Sequence, residues 1–315
     1  MADAQPPPPP SVALRTYGFL RLGMVAVIVA LAVSVVAEIG RSDGCVQRSI
    51  SAYYYTPTRS VFVGALVTLG LCMIALWGKT PVEDSFLNLA GMLAPVVAFV
   101  PTADANFCSI VTSNGTDLTE AAQKSDSAEN AAQGRTDQLI TAAHDAVFNN
   151  VATLIFIIMA ILLILFVVAL VRQWTQLSFW IPYMAALLVW AVGAYMFWKE
   201  RPWFYEHAHM WSAILLFAFI IVVVLGNAFD GTEGSWWRRP FDRMEGSSWR
   251  LAYLALGALM VVAAIVISSV GATRETGTWF GDHWVFMIES TLISLFGVFW
   301  VLQTIDRRKM GAPAD

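Results

Sequence analysis

The sequence predicts an all-α, polytopic membrane bundle of about eight spanning helices, on three observations. Apolar residues make up 57% of the 315 and charged residues 13%, against roughly 45–50% and about 25% in soluble domains. The mean hydropathy is +0.62. The apolar residues are also gathered into runs near 19–39, 60–78, 84–101, 146–171, 178–198, 210–229, 250–272 and 284–304. A spanning helix needs about 20 such residues at about 1.5 Å each. Backbone groups in hydrocarbon must pair within their own segment, and the period-two alternation of a membrane barrel is absent.

The elements follow in order. Residues 1–18 open with MADAQPPPPPS, a polyproline stretch that cannot continue a helix and reads as a solvated tail. The first apolar run begins near Phe19 and is too long for the core of a signal peptide, so it is expected to remain as a helix. One transmembrane domain then covers 19–304. Its third run is short and contains Pro95, with Pro101 at its end, so it is the weakest candidate of the eight for a full span. The polar segment 102–143 is an outer-face loop whose second half has the composition of a partial helix. The loop 230–250 mixes Trp with Arg, the chemistry of a headgroup-level anchor. Residues 305–315 form a second tail.

Orientation follows from basic residues. With both termini cytoplasmic, eleven of the 19 Lys and Arg lie inside and eight outside, two of the eight in the long 102–143 loop. That bias sets a multi-pass protein of the plasma (inner) membrane with its termini in the cytoplasm. Cys45 and Cys108 then both fall outside, where they either pair as a disulfide or stay as two free thiols. Cys72 reads as a small packing residue.

The last four runs read as a duplicated pair. A shift of 76 residues sets Trp203-Phe204-Tyr205-Glu206-His207 on Trp279-Phe280-Gly281-Asp282-His283, and Asp230 on Asp306. The two units have the same direction, as in a parallel internal repeat.

All four histidines, His144, His207, His209 and His283, open long apolar runs on the same side of the membrane. Imidazole is the commonest metal ligand, and a catalytic zinc takes three protein ligands and one open position. His144, His207 and His283 are therefore the candidate zinc ligands. His209 lies about 200° around a helix from His207 and is expected to be spare. The neighbouring acids Asp145, Glu206 and Asp282 are candidates to orient the rings. The competing reading is that rims are simply where polar residues are tolerated.

Glu289 lies six residues past His283, about 9 Å deeper. A carboxyl at that depth is costly without a partner or cavity, so Glu289 is a functional candidate, with Asp282 beside it as a second acid or base. The alternative is a hydrogen-bonded Glu that joins helices. Arg59 either snorkels to headgroups or pairs with Glu289 or a phosphate. Tyr53, Tyr54 and Tyr55 read as an aromatic belt, Asn149 as a helix-bridging amide, and Glu38 as a further polar partner. No nucleotide-binding loop, CxxC pair, H-E-x-x-H or G-x-S-x-G element occurs in the right context.

The stretch Ser49-Ile-Ser-Ala-Tyr-Tyr-Tyr-Thr-Pro-Thr-Arg-Ser-Val-Phe-Val-Gly64 resembles a segment of uncharacterised bacterial multi-span proteins. Their plan is similar to the Frag1/DRAM/Sfk1 group. The membrane hydrolases of the alkaline ceramidase and adiponectin-receptor type place Ser, Asp and three His around zinc. This chain lacks their late-span H-x-x-x-H, and no catalytic residue transfers from them.

Four functional classes stay open at this point. They are an outer-face His/carboxylate ligand or metal site, a zinc-dependent lipid hydrolase, a proton-coupled or pH-gated transporter, and a non-catalytic subunit of a membrane complex. The expected partners are membrane lipid and other subunits, with no nucleic acid.

Overall fold

A computed structural model describes residues 12–78, 80–102, 108, 125–229, 248–273 and 278–307. Among them eight α-helices form and no strand does: α1 Val12–Arg41, α2 Arg59–Ala75, α3 Pro81–Phe99, α4 Ser125–Val171, α5 Leu177–Lys199, α6 Arg201–Ala228, α7 Ser248–Thr273 and α8 Trp279–Arg307. A short 3₁₀ turn, Ser51–Tyr55, interrupts the connection between α1 and α2. The polytopic helical bundle expected from hydropathy is the fold.

Seven of these helices are long and apolar enough to cross a membrane. The exception is α2, with 17 residues. It spans about 25 Å against a hydrocarbon core of about 30 Å. The third run, the weakest candidate for a full span, is a 19-residue helix that accommodates Pro95 and is among the seven. Its start is capped. Thr80 accepts a hydrogen bond from the Glu83 N–H (3.1 Å), and Pro81 occupies the first turn. Side-chain cap and Pro together satisfy orphan donors and preset the backbone.

The helices divide into a core and a periphery. α3 lies against α2 and α6, α7 against α6 and α8, and α1 against α2 and α8. In α3, 56% of the apolar window is buried; in α4 and α5 the shares are 11% and 6%. Those two helices therefore flank a six-helix core and face hydrocarbon with most of their surface.

The backbones of α2 and α3 cross closely at Gly70 and Gly91. A Cβ built on Gly91 would lie 2.7 Å from the Gly70 carbonyl oxygen and 2.6 Å from the Ile74 side chain. Small residues at such crossings let backbones approach and gain dispersion contacts. Gly91→Leu is expected to force the helices apart and to cost about 2 kcal/mol or more, the usual scale of overpacking. Thermal unfolding of the purified protein beside Gly64→Leu, a position with nothing within 4 Å, checks this.

One end of the bundle, here the mouth, holds the α1–α2 connection and the disulfide; the other, the base, holds the start of α3. α1 ends in a turn with Asp43 and Gly44 at positive φ (54° and 82°), and the Gly44 N–H donates to the Ile39 carbonyl (2.9 Å). Gly there meets no Cβ penalty. The turn directs the chain back across the mouth. The second half of the 102–143 segment is helical from Ser125. Residues 103–107 and 109–124, most of the 230–250 loop, and Asp230 lie outside the described residues.

Candidate functional site

The α1–α2 connection is not a surface loop. Gln47, Ser49, Ile50, Ser51, Ala52, Tyr53, Tyr54 and Thr58 are all buried. A buried connection must satisfy its own backbone polar groups, and this one does so locally and against neighbouring helices. The Ala52 N–H donates to Ser49 Oγ (3.0 Å), and the Phe286 N–H of α8 donates to the Arg48 carbonyl (2.9 Å). The Tyr55 hydroxyl donates to the Thr102 carbonyl past the end of α3 (2.8 Å). Cys45 and Cys108 are joined as a disulfide with Cα atoms 5.7 Å apart, so the alternative of two free thiols is settled in favour of pairing.

Three side chains from separate elements converge under this connection. Glu289 of α8 accepts from the Ile50 N–H (2.6 Å) and the Ser51 N–H (3.3 Å) through Oε2. Its Oε1 lies 2.9 Å from Ser51 Oγ. Ser51 Oγ also lies 2.8 Å from Nε2 of His209 on α6, whose Nδ1 lies 2.6 Å from the Val100 carbonyl oxygen. A carbonyl only accepts, so Nδ1 carries hydrogen. Two proton arrangements then satisfy every atom. In one, a neutral Glu289 donates to Ser51, which donates to neutral His209. In the other, imidazolium donates to Ser51, which donates to the carboxylate. The two differ by a proton shift across the Ser51 hydroxyl.

A cavity of about 50 Å³ opens beside Ser51 and Glu289 and runs into the core, with Leu66, Met73, Ile220 and Phe296 among its walls. A separate apolar cavity of about 420 Å³ lies on the far side of α6, between α3, α4 and α5. It shares no lining residue with the first.

The other rim residues take different places. His207 stacks on Trp203 (ring centroids 4.8 Å apart) with Nδ1 3.1 Å from the Trp203 carbonyl. His283 repeats this on Trp279 (5.0 Å; Nδ1 to carbonyl 2.7 Å), and its Nε2 lies 3.0 Å from the Val46 carbonyl. His144 is in α4, and its side chain lies outside the described residues. No group of three His, Cys, Asp or Glu among the described residues is placed to hold a metal. His207 and His209 thus exchange the parts expected of them. His209 is buried on the core face of α6, while the His207 side chain is 32% exposed. Position 209 sits beside the buried stripe Phe204, Ala208, Ser212 and Leu216; position 207 does not.

The charged neighbours are also resolved. Asp282 pairs with Arg48 (3.8 Å), and Glu206 is exposed near His207 (3.9 Å). Asp145 and Asn149 are exposed on α4, so Asn149 is not the buried helix-bridging amide expected of it. Arg59 does not reach Glu289; its guanidinium stacks 4.1 Å over Tyr54 and donates to that hydroxyl. Tyr53 and Tyr54 are 0% and 1% exposed, which replaces the aromatic belt with a buried plug. Burial pushes both phenols above their ordinary pKa. Glu38 pairs with Arg41 (2.8 Å).

A second buried polar cluster lies at the base. Asn227 of α6 and Gln303 of α8 each donate to Glu83 Oε1 of α3 (3.1 Å), and Gln303 also donates to Asn227 Oδ1 (3.3 Å). It ties three core helices together with mutually satisfied side chains. Neither this cluster nor Ser51 stands out in the sequence. A serine carries no cost signal in an apolar run, whereas Glu83 hides in a helix-capping pattern.

No family model, curated protein or solved structure matches this chain.

Proposed function

We propose that this chain is an integral membrane protein whose working part is an acid–base ligand site at the mouth, built from Ser51, His209 and Glu289. In this reading the mouth faces outward and both termini are cytoplasmic, in keeping with the basic-residue bias. The paired disulfide supports that orientation, since such bonds persist in oxidising compartments. The sequence placed the site's identity in three rim histidines and zinc. The residue that carries the present reading is Glu289, whose carboxyl occupies a pair of consecutive backbone N–H groups. Such N–H pairs are anion- and carbonyl-binding concavities. The carboxyl therefore stands where an oxygen of a small carboxylate or acyl ligand would bind, and acts as an internal occupant.

The matched Trp–His stacks at His207 and His283, and the meeting of Asn227 with Gln303 at the same 76-residue shift, support the proposed duplication of the last four helices.

Glu289→Ala vacates the N–H pair and tests the ligand reading. Acetate or formate is expected to raise the unfolding temperature of this variant in a saturable manner and to leave wild type unchanged. A variant indifferent to both anions would sink the reading.

A further inference from the structure

We propose that Ser51 is an acyl-transfer nucleophile, with His209 as its base and short-chain acyl esters as the substrate class. This rests on the ligand-site reading above and assigns its chemistry. Four parts of a serine acyl-transfer site are present. Ser51 Oγ is 2.8 Å from His209 Nε2, within reach of proton transfer. The Val100 carbonyl fixes hydrogen on Nδ1 (2.6 Å). In the arrangement with neutral Glu289 the Nε2 lone pair then faces the hydroxyl, the orientation a general base requires. The N–H groups of Ile50 and Ser51 supply a donor pair that includes the nucleophile's own N–H, as oxyanion sites do. The cavity beside Ser51 receives the acyl group.

Glu289 shows how such a group would sit. One of its oxygens lies on the N–H pair and the other 2.9 Å from Ser51 Oγ. Its carboxyl carbon thus takes the place of a bound acyl carbon, in the pose of a product acid. Turnover requires this side chain to withdraw, so Glu289 is a built-in occluding group. The cavity sets the size limit. At about 50 Å³ it is about one third of the ~150 Å³ apolar cavity that accommodates benzene. It admits a two- or three-carbon chain and excludes a fatty acyl tail.

The chemistry balances with water as the only co-reactant. Ser51 Oγ bonds to the ester carbonyl carbon while its proton passes to His209 Nε2. The ester C–O bond breaks, and the leaving alkoxide takes that proton as the free alcohol. Water then attacks the acyl-serine, gives a proton to His209, and the carbonyl–Oγ bond breaks. Ser51 regains the proton and the carboxylic acid leaves.

The test uses the full chain in lipid nanodiscs, an ethyl fluorophosphonate probe, and intact-mass detection. Phosphonylation of Ser51 is expected in wild type and faster in Glu289→Ala, and none in Ser51→Ala. His209→Ala is expected to lower the rate at least about 100-fold, the low end of general-base contributions. p-Nitrophenyl acetate is expected to give a burst of phenolate that the octanoate ester does not. If the Ala variant fails to fold, Glu289→Ser, whose shorter side chain also vacates the N–H pair, takes its place. Absence of a Ser51 adduct in both wild type and the Glu289 variant would overturn the nucleophile, even if acetate still stabilises Glu289→Ala. Equal bursts from acetate and octanoate would overturn the substrate class. Failure of acetate to stabilise Glu289→Ala would instead remove the underlying ligand reading.

Discussion

Glu289→Ala is expected to destabilise the mouth by about 3 kcal/mol, because it leaves the Ile50 and Ser51 N–H groups buried without an acceptor, at about 1–3 kcal/mol each. Ile50 and Ser51 are 7% and 4% exposed, so both N–H groups lose a buried acceptor unless an added anion or a water enters the vacated space. Comparison with Glu289→Gln reads the proton arrangement. A glutamine oxygen still accepts from the two N–H groups, and its amide can donate to Ser51 Oγ as a neutral carboxyl does. If the resting site holds neutral Glu289, the Gln variant unfolds within about 1 kcal/mol of wild type, the net worth of one hydrogen bond. If it holds the ion pair, Gln leaves His209 charged and buried without its counter-charge, and the loss approaches that of Ala. Thermal unfolding of the three proteins at one pH distinguishes these.

Loss of the Cys45–Cys108 bond is expected to cost about 4 kcal/mol on the chain-entropy estimate for its sequence separation of 63. Cys45→Ser with Cys108→Ser, or reduction of wild type, should show it as a lowered unfolding temperature. The loss is expected to be local first. Hydrogen exchange should rise across residues 42–58 and at Val100, because the bond joins the two segments that hold Ser51 and the His209 partner. Unchanged exchange in those segments would show that the packing of Tyr53 and Tyr54 holds the connection by itself.

The sequence made the eight helices legible because hydrocarbon leaves the backbone no alternative. Glu289 was legible for a related reason: a carboxyl at depth has a cost that must be met somewhere. What met that cost was not legible. Backbone N–H groups have no sequence signature, and nothing in Ser42–Thr58 says that it turns inward. Its tyrosines have the composition of a belt, and only their burial shows a plug. The histidine pair was half legible. Opposite faces for His207 and His209 followed from helical geometry. The choice between them needed the Phe204–Ala208–Ser212–Leu216 stripe, whose small and polar members carry little hydropathy. The Asn227–Gln303–Glu83 cluster was hidden because amides at helix ends pass as interfacial residues.

The thin burial of α4 and α5 has a consequence for where the fold's stability resides. With 11% and 6% of their apolar windows covered by protein, these two helices have the lipid as their main packing partner. The six-helix core is held by its own crossings and keeps its shape in whatever amphiphile surrounds it. The α4–α5 pair is set by its surroundings, and bilayer thickness and acyl order become structural variables for it. Two melting transitions are therefore expected in one chain, one set by the core and one that shifts with the surrounding lipid.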